Sequence, residues 1–224
     1  MKLFLFDVDQ TLISTGGAGI RAMNRAFRSV LDIDNAMDGM LLHGKTDPSI
    51  VREAGLARGV ETGARLDAIL EAYIAFLRDE IQVSPYEVLP GVNALLDLLS
   101  VHSGVMLALA TGNVEAGARI KLERGRLNHY FAFGGFGSDS ECRISLVRRA
   151  AEIAAARRGQ AFPSEDVFVI GDTPRDVDAA RGAGFQSVAV ATGRYSLEDL
   201  ASHGASVTIS NLQSGRDRLM NILD

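Results

Sequence analysis

The sequence predicts an α/β protein with a doubly wound parallel sheet and a second, all-helical unit inserted into it. Short apolar runs without helical periodicity recur along the 224-residue chain. Stretches with the periodicity of amphipathic helices separate most of these runs, and such alternation is typical of a parallel sheet covered by helices. The long segment after the first run contains helical patterns only, which indicates the inserted unit.

The predicted strands lie at residues 3–6, 105–110, 167–170, 187–191 and 206–209. The runs are predominantly apolar and lack helical periodicity, as expected of strands that are buried on both faces. Helical patterns occupy residues 92–99, 144–153 and 197–201. We therefore expect a Rossmann-like core.

Two amphipathic stripes occupy the segment after the first strand. The first comprises Ile20, Met23, Phe27, Val30 and Leu31, and the second comprises Leu66, Ile69, Leu70, Tyr73, Phe76, Leu77 and Ile81. Small or turn-prone residues at 14–17 and 83–86 border the segment, as expected of hinges. We predict that residues 14–86 form a helical cap domain and that residues 1–13 and 87–224 form the α/β catalytic core.

Composition restricts the class of partner. The net charge of −5 argues against non-specific nucleic-acid binding, which needs clustered Lys and Arg. The single cysteine, Cys142, cannot form an internal disulfide and fits a reducing compartment. The apolar run after Lys2 is too short for a signal peptide or a membrane span. We expect a cytoplasmic protein that acts on a small molecule, with neither nucleic acid nor membrane as a partner.

Polar residues cluster after the predicted strands, where the ligand crevice of an open α/β sheet lies. Asp7 and Asp9 follow the first strand, and carboxylates at i and i+2 can point into one cavity once the backbone leaves the pleat. Asp7 is predicted to attack phosphorus as a nucleophile, and Asp9 to act as general acid and base. Alternatively, Asp9 only caps the turn with Thr11.

An anionic nucleophile that attacks a phosphate needs a nearby cation to offset the repulsion. Asp172 follows the third strand and could bind Mg²⁺ together with Asp7 and the main-chain carbonyl of Asp9, because Mg²⁺ prefers oxygen ligands. Asp176 is a further candidate ligand, directly or through water. Its alternative role is to complement the dipole at a helix N-terminus.

Four further residues are candidates for binding the phosphate. Thr111 offers a hydroxyl, and Gly112 and Asn113 offer backbone N–H groups where a helix is predicted to begin. The same tripeptide is also an ordinary helix N-cap. Arg143 stands at the start of another predicted helix, where a guanidinium could hold a phosphate oxygen and a carboxylate together or could be a solvated surface charge.

These groups of residues resemble the four motifs of the haloacid dehalogenase superfamily of phosphohydrolases, in the same order and over nearly the whole chain. The inserted helices resemble a C1-type cap, and the cap placement and residues 171–176 are most similar to the phosphoglycolate phosphatase branch. Gln10 stands where the family usually has Gly, and Arg143 where it usually has Lys. The matching positions are Asp7, Asp9 and Thr11 for the first motif, Thr111 for the second, Arg143 for the third, and Asp172 and Asp176 for the fourth.

A cap would contact the part of the substrate beyond the phosphate. His43 and Lys45 lie in a polar run at residues 43–47, and they could meet the leaving group when a closing cap excludes water. The same run could instead be a turn and the N-cap of a helix that begins near Pro48, with His43 at the surface.

The resemblance implies a Mg²⁺-dependent phosphatase that acts on a small phosphorylated metabolite, phosphoglycolate-like or a sugar phosphate, through an aspartyl phosphate on Asp7. A phosphomutase of the β-phosphoglucomutase type would use the same carboxylates. A dehalogenase would need neither Asp9 nor Mg²⁺. A noncatalytic binding module would be expected to have lost one of the carboxylates, so the complete set argues against these last two readings.

Overall fold

The structure is a computed structural model that describes residues 1–223, and its core is a six-stranded parallel sheet of order β5-β4-β1-β6-β7-β8. The predicted fold class is confirmed. The strands are β1 (Lys2–Phe6), β2 (Ile13–Ser14), β3 (Glu87–Val88), β4 (Val105–Thr111), β5 (Gly134–Phe136), β6 (Val167–Gly171), β7 (Gln186–Val190) and β8 (Val207–Ile209).

Helices cover both faces of this sheet. Along β1, Leu3 and Leu5 contribute to the apolar cluster on one face, while Phe4 and Phe6 contribute to the cluster on the other, and all four are fully buried. This burial explains the uninterrupted apolar run. The α-helices are α1 (Ala18–Leu31), α2 (Asp47–Ala57), α3 (Leu66–Val83), α4 (Val92–Ser100), α5 (Glu115–Arg124), α6 (Arg143–Arg158), α7 (Pro174–Ala183), α8 (Leu197–Ser202) and α9 (Arg216–Asn221), with short 3₁₀ helices at Gly63–Arg65, Asn128–Tyr130 and Ser164–Asp166.

Along the chain, helices α1, α2 and α3 follow β1 and precede the other strands of the six-stranded sheet, and they pack around their own apolar cluster. Phe27 of α1 and Tyr73 and Leu77 of α3 are buried in this cluster. We call residues 14–86 the helical insertion. Its boundaries as a separate domain remain a prediction.

The form of the connection between the core and the helical insertion was not predicted. The chain leaves and re-enters the core through a two-stranded antiparallel sheet in which Ile13 of β2 pairs with Val88 of β3. Strands of two residues are too short to produce an alternating pattern. Within residues 1–223, no helix has both the length and the apolar character that crossing a lipid bilayer requires.

Candidate active site

The order of the strands brings the carboxyl ends of β4, β1 and β6 side by side. Asp7 is the first residue after β1; it is buried, and its N–H donates to the carbonyl of Ile170 in β6 at 2.9 Å. The N–H of Leu12 donates to the carbonyl of Val8 at 3.0 Å, which closes a tight turn immediately afterwards. The turn carries Asp9 out of the strand direction, and both carboxylates line one cavity.

Three buried carboxylates meet at this edge of the sheet. Asp7, Asp172 and Asp176 each place one oxygen within 4.8 Å of the others. Burial raises the pKa of Asp172 to about 9, with the charges of Asp176 and Asp7 adding to the effect. Burial also raises the pKa of Asp7 to about 6, although Arg143 opposes this shift. Oxygen ligands whose mutual repulsion a cation would relieve fit the predicted Mg²⁺ site.

Arg143 is the half-buried cation of this group. Its Nη2 contacts a carboxylate oxygen of Asp176 and lies 3.7 Å from Asp7 Oδ2. Burial lowers the pKa of the guanidinium, but the two carboxylates outweigh that effect and raise it. The structure therefore places Arg143 in the crevice and not among the solvated surface charges.

Asp176 takes the predicted alternative role at a helix N-terminus and also lies beside the other carboxylates, whereas its binding of Mg²⁺ remains a prediction. Its Oδ2 accepts hydrogen bonds from the N–H of Thr173 at 3.1 Å and from the Thr173 hydroxyl at 2.8 Å, in the capping box that begins α7. Its Oδ1 contacts Arg143. The carboxylate thus caps the helix while it faces the other acidic residues.

The Thr111–Asn113 segment leads from β4 towards α5. The Thr111 hydroxyl accepts hydrogen bonds from the backbone N–H of Asn113 at 3.3 Å and from its side-chain amide at 2.9 Å. The same amide donates to Asp9 Oδ2 at 2.8 Å. In this structure, Thr111 and Asn113 therefore orient one another and Asp9, whereas their predicted binding of phosphate remains a prediction.

Lys121 in α5 is a site residue that the sequence reasoning missed. Its amine donates to Asp9 Oδ2 at 2.7 Å and to Asn113 Oδ1 at 2.6 Å. Burial lowers the pKa of this amine, but Asp9 and the other acidic neighbours outweigh the effect and raise it. The spacing of Lys121 from the apolar residues Ala118 and Leu122 indicates that it lies on the buried face of α5.

The helical insertion reaches the site through two hydrogen bonds that we call the latch. The N–H of Asp47 donates to the carbonyl of Gly112 at 2.8 Å, and Asp47 Oδ2 accepts from the N–H of Val114 at 2.9 Å. Asp47 is buried, which raises its pKa to about 6, with Lys121 opposing the shift. The latch fixes residues 46–47 at the start of α2 against the segment that carries Thr111.

The two predicted cap contacts also line the cavity. His43 is exposed, and the amine of Lys45 pairs with Glu53. The N-cap reading of the run is supported at Thr46, which forms a capping box with Ser49 at the start of α2. Contacts of His43 and Lys45 with a substrate remain a prediction.

Residues 4–190 match the sequence profile of the haloacid dehalogenase-like hydrolases. The chain belongs to this family. It is 28% identical to a probable phosphatase IndB of Dickeya dadantii, over 92% of this chain and 88% of the relative. It is also 28% identical to a phosphoglycolate phosphatase of Pseudomonas fluorescens, over 95% of this chain and 77% of the relative.

Solved structures support the same fold. A hydrolase from Pseudomonas syringae superposes with a TM-score of 0.74 at 20% identity, with 99% of each chain covered. CbbY from Rhodobacter sphaeroides, in complex with phosphate, superposes with a TM-score of 0.74 at 19% identity, with 96% of each chain covered. The resemblance predicted from the motifs is therefore confirmed at the level of the family.

The structure accommodates both departures from the pattern of haloacid dehalogenase-like hydrolases. Gln10 has a φ of 60°, in the left-handed region that glycine adopts easily, so the turn is kept at a cost of about 1 kcal/mol. Arg143 opens α6 and reaches both Asp7 and Asp176. The guanidinium thus lies between the carboxylates of Asp7 and Asp176 at the position where the family usually has Lys.

Proposed function

We propose that this chain is a Mg²⁺-dependent phosphoric monoester hydrolase that acts on a small phosphorylated metabolite through an aspartyl phosphate on Asp7. The observation that carries the proposal is the position of Asp7, which lies beside Arg143, Asp172 and Asp176 and shares a cavity with Asp9. Membership of a hydrolase family and relatives named as phosphatases support the same chemistry.

In the proposed first step, a carboxylate oxygen of Asp7 attacks phosphorus and the bond to the leaving oxygen breaks, with Asp9 giving that oxygen a proton. In the second step, Asp9 takes a proton from water, which attacks the phosphorus and releases inorganic phosphate and free Asp7. Asp9 is suited to both steps because Lys121 and Asn113 fix one of its oxygens.

The proposed Mg²⁺ ligands are side-chain oxygens of Asp7, Asp172 and Asp176 and the main-chain carbonyl of Asp9. The ion would supply positive charge that offsets repulsion between the nucleophile and the phosphate. Arg143 contributes a second positive charge beside Asp7. Thr111 and the backbone of Gly112 and Asn113 are the proposed partners of the phosphate oxygens.

The test is release of inorganic phosphate from a panel of small phosphoesters, including 2-phosphoglycolate and glucose 6-phosphate, with and without Mg²⁺. We expect turnover only with the ion, and loss of turnover in Asp7→Asn with an unchanged circular dichroism spectrum. Asp67→Asn, which changes an exposed carboxylate of α3, is the matched control. Retained activity in Asp7→Asn would rule out Asp7 as the nucleophile.

The same panel separates hydrolysis from the phosphomutase alternative. A mutase would retain the phosphoryl group on Asp7 until it was returned to a sugar phosphate, so it would release little inorganic phosphate and would depend on a bisphosphate activator. Phosphate release from a simple ester without any bisphosphate would exclude that alternative.

A further inference from the structure

The cavity above the carboxylates has two chemically different ends. It holds about 280 Å³ and is lined at one end by the polar residues of the core. This volume lies near the lower limit of about 300 Å³ for small-molecule sites, so the substrate must be small. The helical insertion contributes the polar side chains of Thr15, His43, Lys45, Asp47 and Tyr73 and six apolar side chains, which we call the apolar wall: Ile20, Met23, Met37, Met40, Leu42 and Ile50.

The cations that line the cavity already have acidic partners. Arg143 contacts Asp176, Lys121 contacts Asp9, and the amine of Lys45 contacts Glu53. Among residues 1–223, the only other cavity-lining side chain that can carry a positive charge is His43, which is exposed. A carboxylate on the leaving group would therefore lose its hydration and could gain, as a new cationic partner, only the exposed imidazole of His43.

The acidic residues strengthen this discrimination. Asp47 belongs to the insertion and lines the same cavity as Asp9, so two carboxylates besides Asp7 and Asp172 border the space that the substrate would occupy. A second negative charge on the substrate would meet these groups. An uncharged apolar group would instead be removed from water against methionine and aliphatic side chains, which adapt readily to different shapes.

We propose that the substrate is a phosphate monoester whose leaving group is an uncharged, predominantly apolar alcohol seated against the apolar wall. This inference rests on the proposed phosphatase function and narrows its substrate class. It differs from hydrolysis of a carboxylate-bearing ester such as phosphoglycolate, and the relatives that are named phosphoglycolate phosphatase are only 26–28% identical to this chain.

The test uses n-alkyl phosphates from ethyl to hexyl phosphate, because they share the same kind of leaving oxygen and differ in apolar area. We expect kcat/KM with Mg²⁺ to rise about fourfold per added methylene until the wall is covered, as expected from the burial of one methylene. Butyl and hexyl phosphate should then exceed 2-phosphoglycolate by more than about tenfold. A flat series, or a preference for 2-phosphoglycolate, would overturn the inference.

Two variants test whether the wall itself produces the trend. Met40→Gln keeps the length of a partly buried wall residue but makes it polar, and it should reduce the ratio of hexyl to ethyl phosphate turnover about tenfold. Leu41→Gln is the matched control, since the neighbouring Leu41 is 64% exposed and lies outside the cavity. If Met40→Gln does not fold, Leu42→Gln replaces it.

The outcomes separate this inference from the proposed function. No phosphate release from any ester would count against the phosphatase itself. Phosphate release that is independent of chain length would leave the phosphatase standing and overturn only the substrate class. An unchanged hexyl-to-ethyl ratio in the folded wall variant would show that the substrate does not contact the wall, which would also overturn the inference.

Discussion

Gly112→Ala should prevent the helical insertion from closing on the core. A Cβ atom at position 112 would lie 2.2 Å from the carbonyl oxygen of Lys45, whereas ordinary contacts begin at 3.4 Å. The two segments must therefore separate by about 1.2 Å, which is too far for the latch hydrogen bonds of 2.8 and 2.9 Å to survive.

The expected loss follows from the two bonds. A neutral hydrogen bond contributes about 1 kcal/mol and one to a carboxylate about 2 kcal/mol, so the closed form is destabilised by about 3 kcal/mol. If catalysis needs the closed form, kcat/KM falls about 100-fold. Asp47→Asn, which keeps the shape of the latch but removes its charge, should cost only about fivefold, because a neutral acceptor is weaker by about 1 kcal/mol.

The assay is steady-state phosphate release with Mg²⁺, together with thermal unfolding to confirm that each variant folds. Gly63→Ala is the control, since its Cβ would meet only flexible side chains at the surface of the insertion. A folded Gly112→Ala protein with kcat/KM within threefold of the unaltered chain would refute the reasoning. It would mean that the latch seen in the structure has no part in turnover.

Three further predictions concern the charged groups of the site. Asp9→Asn should lower kcat by about 10²–10⁴-fold for esters with poor leaving groups and much less for p-nitrophenyl phosphate, so equal slowing for both classes would contradict its role as acid. Lys121→Met should lower kcat, because Asp9 loses the amine that fixes its carboxylate. The same change should lower the free energy of unfolding by about 2 kcal/mol. This loss is smaller than that of a fully buried ion pair, since the Asp9 side chain is 37% exposed. In metal-free protein, the pKa of Asp7 is raised to about 6 and that of Asp172 to about 9. The folded state therefore keeps protons that the unfolded chain releases above about pH 4. The free energy of unfolding should consequently fall as the pH rises from about 4 through 6 towards 9. Mg²⁺ should restore the melting temperature more at pH 8 than at pH 5.5, and Asp172→Asn should lose most of this response; a shift by Mg²⁺ that does not depend on pH would contradict the assignment of the ligands.

The strands could be predicted from the sequence where burial requires a run of apolar residues. Phe4 and Phe6 face one layer of helices and Leu3 and Leu5 the other, so the strand is an unbroken apolar run. Strand β5 could not be predicted in this way, because two of its three residues are Gly134 and Gly135. A Cβ at position 135 would lie 2.0 Å from the carbonyl oxygen of Leu146 in α6, so tertiary packing selects a residue that strand propensity disfavours.

The residues of the candidate site likewise differ in whether the local sequence predicts their position. Asp7 and Asp9 stand next to a recognisable strand, so their position at the crevice follows from the local sequence. Lys121 lies 112 residues from Asp9 along the chain, and a lysine in a helix with several charges is normally exposed. Its contact with Asp9 depends on where the tertiary fold places α5, which packs against α3, and local patterns do not specify that placement.

The polar run at residues 43–47 shows how this division bears on function. The sequence favours its basic side chains, His43 and Lys45, as substrate contacts. In the structure, the run approaches the core through the backbone of Lys45 and the carboxylate of Asp47, while the Lys45 amine is paired with Glu53. A contact made by the backbone of Lys45 cannot be predicted from the residue type, since almost any residue at this position could provide the same carbonyl oxygen. The chemistry at Asp7 can therefore be read from local motifs, whereas the choice of substrate depends on how the insertion closes over them, and Gly112→Ala and the alkyl phosphate series test that closure and that choice separately.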